Sequence, residues 1–303
     1  MKYLDLKDKK ISTIVAGCMR YTELSKNEFD THIKTALDNG INYFDHADIY
    51  ADGKAQEVFG DFLKENPSLR EKMIIQSKCG ITKGIYDFSK EHILNSVKES
   101  LKALNTDYLD VLLLHRPDAL MEVFEVNEAF NQLKKEGLVK YFGVSNFNSM
   151  KVKLLKNGLD EKIRFNQLQF SPAHCTMITH SILTNTPYEN ARDMDGEILD
   201  YSNLNNIRIQ AWSPYQYGFM EDTFVDSPKY EKLNEKLEEL AKKYEVGKNS
   251  IVSAWITRMP QGIQTIAGTT NTDRLLEVIK GADIKLTRKE WYEIYEAAGN
   301  KII

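Results

Sequence analysis

The chain has little of what would mark a metalloprotein, a secreted scaffold, a membrane protein or a nucleic-acid binder. Its cysteines number three, Cys18, Cys79 and Cys175. An odd number so widely scattered forms neither a disulfide framework nor a metal motif, and suits a reducing compartment. No apolar run reaches the ~18 residues of a membrane span. The opening MKYLDLKDKK lacks the apolar core of a secretory signal. A soluble cytoplasmic protein is therefore expected. Basic tracts are missing as well: the net charge is −4, and the Lys134-Lys135 and Lys242-Lys243 pairs lie in helical patterns beside glutamates. Such pairs are solvated helix faces, so neither nucleic acid nor a membrane is an expected partner. His174 and His180 have no carboxylate or third histidine at a matching spacing, and no metal is expected. No G-x-G-x-x-G follows a strand-like run, which argues against a dinucleotide-binding open sheet.

What is present is a long alternation of strand-like and helix-like segments. The 303 residues, 42% hydrophobic and 10% aromatic, suit one large barrel or two ordinary domains. Lys2 to Thr13 reads as a hairpin around a Lys-Asp-Lys-Lys turn. Strands are then expected from Ile14 into Gly17, Ile41 to Asp45, Met73 to Lys78 and Tyr108 to His115. Four more are expected over Tyr141 to Ser145, Arg164 to Gln169, Ile207 to Trp212 and Gly262 to Ile266. Ser25 with Glu28, and Thr287 with Glu290, have the spacing of capping boxes that start helices. Further helices are expected over Ala55 to Leu63, after Ser89, over Val123 to Glu136, Met150 to Lys156 and Asn271 to Ile279. Eight strands alternating with helices predict an α/β fold, a TIM-type (β/α)8 barrel with an N-terminal β-hairpin, as one domain over 1–303. Ser171 to Asp195 and Ser213 to Pro228 break the rhythm without any period; coverage of a pocket or cofactor is the favoured reading, with inert decoration as the alternative.

Four polar residues stand out because three of them end apolar runs. Asp45, Lys78 and His115 close successive strands, and Tyr50 follows Asp45 by five residues. The C-terminal rim is where parallel barrels carry their chemistry. A phenol near its ordinary pKa of ~10 is an idle acid at neutral pH. A neighbouring lysine is expected to lower that pKa, and an aspartate to keep the lysine charged. A histidine can orient the oxygen that takes the proton. Such a set suits protonation of a carbonyl oxygen as a hydride reaches its carbon. Singly, each residue has a plainer explanation: a structural ion pair, a satisfied strand-end histidine, a half-buried loop aromatic. His46, on the opposite side of its strand from Asp45, is expected to act at most indirectly.

Here the chain resembles the aldo-keto reductase family. Phe44-Asp-His-Ala-Asp-Ile-Tyr50 with Glu57 and Gly60 is similar to that family's F-D-T-A…Y-G…E…G signature. Tyr108 to Asp118 is similar to its histidine strand, and Gly137 to Phe147 to its G-x-I-R-x-x-G-V-S-N-F motif, with Lys140 for the usual Arg. The resemblance implies that Asp45, Tyr50, Lys78 and His115 are a catalytic tetrad for reversible, NAD(P)H-dependent reduction of aldehydes or ketones. It implies that Ser145, Asn146 and Gln167 bind the nicotinamide carboxamide and that Trp212 stacks on its ring. Ser213, Pro214, Tyr215 and Gly218 would cross the pyrophosphate. Gly268, Thr269, Arg274 and Glu277 would hold the adenosine phosphate end, and Gly17 to Arg20 would line the mouth, Gly17 against the cofactor.

Gly268-Thr269 stands where many members carry Lys-Ser, and Val278 where an Asn is common. Arg274 remains for a bidentate phosphate contact, so NADP(H) is preferred and NAD(H) possible. Tyr21, Tyr215, Tyr217 and Phe219 suggest an apolar lining. The implied partner is a small carbonyl compound, and the implied state a monomer, with a dimer possible. The alternative within the same fold is a cofactor-sensing regulatory subunit with slow turnover, as in potassium-channel β-subunits.

Overall fold

The computed structural model describes residues 1–7, 9–218 and 222–302. Strands β1 (Tyr3–Leu6) and β2 (Lys9–Ser12) pair antiparallel, with Tyr3 opposite Ser12 and Leu6 opposite Lys9. The expected hairpin is present. Eight parallel strands follow: β3 (Ile14–Gly17), β4 (Tyr43–Asp45), β5 (Ile74–Cys79), β6 (Leu109–Leu114), β7 (Val139–Ser145), β8 (Ile163–Gln169), β9 (Arg208–Trp212) and β10 (Gln264–Ala267). They form a closed barrel in the order β10-β3-β4-β5-β6-β7-β8-β9. Every residue of β3, β4, β5, β6 and β10 is buried. Parallel strands covered on both faces read as unbroken apolar runs, which is why they were legible.

The helices are α1 (Lys26–Asp38), α2 (Lys54–Glu65), α3 (Lys90–Ala103), α4 (Val123–Lys135), α5 (Ser149–Gly158) and α6 (Thr176–Ile182). After them come α7 (Ile198–Leu204), α8 (Glu231–Tyr244), α9 (Lys248–Thr257), α10 (Thr272–Gly281) and α11 (Arg288–Ala297). Both capping boxes form: Ser25 N–H donates to Glu28 Oε2 at 2.9 Å, and Thr287 N–H to Glu290 Oε2 at 2.7 Å. Each satisfies helix-end donors that would otherwise be orphaned.

The chain divides into two compact units, residues 15–167 with 268–270, and residues 1–14, 168–267 and 271–303. In the first, α2 lies so close to α3 that a Cβ on Gly60 would come within 2.0 Å of the Ala103 carbonyl oxygen. Only glycine fits there. At the N-terminal ends of β6 and β7, fully buried Asp110 accepts from Arg70 at 3.0 Å and lies 3.6 Å from Lys140 Nζ. Arg70 and Lys140 both pack on the Tyr108 ring, at 3.9 and 3.4 Å from its centroid. Lys140, the departure from the family motif, thus belongs to a structural cluster at the end of the strands opposite Asp45 and Lys78.

The second unit corrects one expectation. Residues 171–195 are not an unstructured loop: α6 lies within them and buries Met177, Ile178 and Thr179. In the same unit Trp255 on α9 and Trp291 on α11 stack at 4.7 Å and 7°. Each indole Nε1 donates to the other residue's carbonyl oxygen at 3.0 Å. This reciprocal pair fastens α11 to α9.

Candidate active site

The first unit brings Asp45, Tyr50, Lys78 and His115 together. Alternation along a strand puts Tyr43 and Asp45 on one face of β4, and Gln76 and Lys78 on one face of β5. Phe44 takes the other face of β4 and packs on Phe59 at 5.3 Å. Asp45 ends its strand and Lys78 lies one residue before the end of β5; His115 follows β6 directly.

Lys78 is completely buried, and its ammonium donates to three groups. It reaches Asp45 Oδ2 at 2.9 Å and Oδ1 at 2.8 Å, the His46 carbonyl oxygen at 2.8 Å and the Tyr50 hydroxyl at 2.9 Å. Burial alone would lower the lysine's pKa, but Asp45 and Tyr50 together hold it above its ordinary value. Lys78 therefore stays charged. Asp45 is held in turn by two amides, Gln76 Nε2 at 2.5 Å and Gln167 Nε2 at 3.0 Å. Tyr43 donates to Gln76 Oε1 at 2.7 Å and fixes which way that amide points.

For Tyr50 the structure corrects the expected direction. Burial raises its hydroxyl pKa and outweighs the lowering by Lys78, and Asp45 adds to the rise. The phenol is thus firmly protonated at neutral pH. His115 meets the Tyr50 ring edge to face, with centroids 6.1 Å apart at 83°. Burial, then Lys78 and Arg116, lower its pKa to about 2. Its Nδ1 is buried without a hydrogen-bond partner among the described residues, so it is not a satisfied structural histidine. His46 does point away from Asp45: its ring sits on Phe59 at 4.6 Å, and burial with Lys78 lowers its pKa to about 3.

Ser145 ends β7 and donates from Oγ to the Gln167 carbonyl oxygen at 2.9 Å, and Asn146 N–H reaches that same oxygen at 2.9 Å. Asn146 is left-handed at φ 62°, a conformation asparagine tolerates better than most residues, and its amide donates to Ser145 Oγ at 2.9 Å. Gly17 pairs with Asp45 across β3 and β4 and is buried. Gly268 and Thr269 lie beside α1 residues and the β3–α1 connection. A Cβ on Gly268 would be 3.8 Å from the Arg20 guanidinium, and buried His32 hydrogen-bonds the Thr269 backbone.

In the second unit Trp212 is half-buried at the end of β9, and Ser213 follows at φ 46°. Ser213 Oγ bonds Gln216, the Tyr215 hydroxyl lies 3.5 Å from the Asn249 carbonyl oxygen, and the Gly218 carbonyl accepts from Gln169 at 3.0 Å. Pro214 is buried in the same turn. Glu277 receives Asn249 N–H at 2.8 Å and Asn249 Nδ2 at 3.0 Å, which ties α10 to the first turn of α9. Arg274 is exposed in the first turn of α10, which Asn271 caps at 2.8 Å. Val278 is buried.

One reading of the sequence, that of Tyr21, needs changing. Tyr21 lines no opening: it is fully buried, edge-on to Phe29 and His32. Glu57 is exposed, and the buried polar residue of that helix is its neighbour Gln56, which donates to Ser77 Oγ at 2.7 Å and Ser100 Oγ at 3.2 Å. Phe219 lies outside the described residues. Gln76 and Tyr43 were missed, although their spacing of two from Lys78 and Asp45 placed them on the same faces.

A sequence profile of the Aldo/keto reductase family matches residues 13–298. The chain is 35% identical to the uncharacterized oxidoreductase YcsN of Bacillus subtilis (strain 168), over 96% of this chain and 95% of that one. It is 30% identical to a 6-dehydroglucose reductase of Agrobacterium fabrum (strain C58 / ATCC 33970), over 99% of each. In fold it is similar to the crystal structure of the thermostable aldo-keto reductase Tm1743, with a TM-score of 0.78 and 24% identity over 98% of this chain and 100% of that one.

Proposed function

From the premise that the chain belongs to the aldo/keto reductase family, we propose that it reduces small aldehydes or ketones with a nicotinamide cofactor, Tyr50 supplying the proton. The observation that carries this reading is the 2.9 Å contact between a buried, charged Lys78 and the Tyr50 hydroxyl. Three groups could in principle protonate a carbonyl oxygen here. Lys78 has its ammonium directed to Asp45, the His46 carbonyl and Tyr50. His115, with its pKa near 2, is neutral at working pH and can donate a hydrogen bond but is no acid. Tyr50 keeps its proton and has a cation ready to stabilise the phenolate it leaves. In the reverse direction the same phenolate takes the proton from an alcohol.

The residues present fit a nicotinamide dinucleotide. Asn146 is a half-buried amide beside Ser145, Trp212 a half-buried indole at a strand end, and Arg274 an exposed guanidinium in the first turn of a capped helix. When bound, the cofactor supplies the hydride. Ser145, Asn146 and Gln167 would hold its carboxamide, and Gln167 would do so while still donating to Asp45. Gly17, Trp212, Ser213, Pro214, Tyr215, Gly218, Gly268, Thr269 and Glu277 would take the roles the family resemblance gives them. Arg274 would favour NADP(H), since a helix N-terminus and a guanidinium both attract phosphate.

The 30% identical 6-dehydroglucose reductase supports a reductive direction on a carbonyl. The test is NADPH oxidation by the purified protein against a panel of aldehydes, ketones and quinones. Saturable turnover with a member of the panel is expected. Absence of turnover throughout, with a stable complex to a larger protein, would favour a regulatory role instead.

A further inference from the structure

Tyr50 does not sit on a strand. It lies in a run of turns from Asp48 to Gly53 that links β4 to α2. Directly after it, Ala51 and Asp52 are both left-handed, at φ 52° and 53°, and Gly53 follows at 87°. Two consecutive side-chain-bearing residues in that region are disfavoured, because Cβ crowds the following carbonyl oxygen. Such a conformation persists only where its surroundings enforce it. The phenol's position therefore depends on what holds the turn from outside.

Two polar anchors do so, one on either side of Tyr50. Upstream, Asp48 N–H donates to the Lys78 carbonyl oxygen at 3.1 Å, and Asp48 Oδ2 accepts from Ser96 Oγ at 2.7 Å. Downstream, Gln56 is tied to Ser77 and Ser100. Ser96 and Ser100 are four residues apart on α3, on its buried face, with exposures of 5% and 3%. Spacing of four puts two residues on one side of a helix, one above the other. A helix face that is otherwise Ile93, Val97 and Leu101 thus presents two hydroxyls to the segment that bears Tyr50. A hydroxyl buried on this face without a hydrogen-bond acceptor would cost stability, and the Asp48 carboxylate supplies that acceptor for Ser96.

We infer that Asp48 and Ser96 are positioning residues, which hold the strained turn so that the Tyr50 hydroxyl stays on the Lys78 ammonium. The assignment rests on Tyr50 being the acid. Without the Ser96 hydroxyl the Asp48 carboxylate keeps only its local bond to the Ile49 backbone and loses its tie to α3, the left-handed pair can relax, and the phenol moves relative to Lys78 and to any carbonyl in front of it. Displacements of about 1 Å at a reacting group can lower a rate about a hundredfold.

The test compares Ser96→Ala, Ser96→Thr, Asp48→Ala and Tyr50→Phe in the full chain, using NADPH and the fastest carbonyl substrate of the panel. Ser96→Ala and Asp48→Ala are expected to lower kcat about tenfold or more, with NADPH affinity within about twofold of the parent. The deuterium isotope effect on kcat from NADPH labelled at C4 should increase, because the chemical step has slowed. A loss of folded enzyme would lower kcat without changing that ratio. Ser96→Thr keeps the hydroxyl and should restore kcat to within about threefold. An unchanged kcat and isotope effect in Ser96→Ala overturns the inference, as does equal impairment of Ser96→Ala and Ser96→Thr. Should Ser96→Ala fail to fold, Asp48→Ala against Asp48→Asn, which keeps an oxygen acceptor, decides the matter in the same way. If Tyr50→Phe itself turns over normally, the reading of Tyr50 has failed, and not merely its support.

Discussion

Lys78 and Tyr50 are joined by a 2.9 Å hydrogen bond in which the lysine is the donor, yet the tyrosine's pKa is raised rather than lowered. The two facts are compatible. Burial disfavours the phenolate more than one ammonium favours it, particularly when that ammonium is already neutralised by Asp45. The proposed acid is thus held in its protonated form, and the stabilised base appears only after the proton has left. What Lys78 contributes is a short path for the charge that forms, not a standing phenolate.

Acid should destabilise the fold well before carboxylates titrate. His46 is fully buried and its pKa is lowered to about 3; that of His115 is lowered to about 2. The unfolded chain takes up these protons near pH ~6.5, the folded chain only far below it. The unfolded state therefore binds more protons as pH falls, and stability declines from about pH 6.5 downward. For His46 the shift corresponds to at most about 4–5 kcal/mol. Urea unfolding at pH 7 and pH 4.5 should show the loss. In His46→Leu the pH slope should flatten by about 1.4 kcal/mol per pH unit. An unchanged slope would mean that the buried ring escapes or finds a partner on protonation.

The stacked tryptophans predict a stability effect within the second unit. Trp291→Ala removes a large buried ring and leaves both a cavity and the Trp255 carbonyl without its donor. It should cost about 3–5 kcal/mol. Trp291→Phe keeps a ring but loses the indole N–H, and should cost about 1–3 kcal/mol. Chemical denaturation measures both. A Trp291→Phe cost near zero would show that the Trp291 hydrogen bond contributes nothing, and equal costs for the two variants that the stacked ring adds nothing beyond it.

What the sequence disclosed follows from how local each signal is. Asp45, Lys78 and His115 were visible because a charged or polar group ending an apolar run is conspicuous. Gln76 and Tyr43 are only two residues upstream, on the same faces, yet they merge into the runs they interrupt. Helix α6 was missed because seven residues with adjacent buried Met177 and Ile178 display no full helical period. The Asp48–Ser96 contact spans 48 positions and has no local trace at all. The direction of the Tyr50 shift was misjudged for a related reason: depth of burial is a property of the folded barrel, whereas a neighbouring charge can be guessed from a motif.

Arg274 bears on cofactor choice. It is exposed, sits in the first turn of α10, and makes no ion pair among the described residues. Arg274→Ala should weaken NADPH binding about tenfold or more while changing NADH binding by less than about threefold. Fluorescence titration with each cofactor provides the comparison. Equal losses for both would contradict a contact to the 2′-phosphate.

Whether Tyr50 delivers the proton is decided by Tyr50→Phe. The substitution removes one oxygen and leaves the ring edge-on to His115. With Tyr50 as the acid, kcat falls by about a hundredfold or more, while the affinity for NADPH, read by fluorescence quenching, stays within about twofold of the parent. Turnover close to that of the parent, with the cofactor bound normally, would contradict that role.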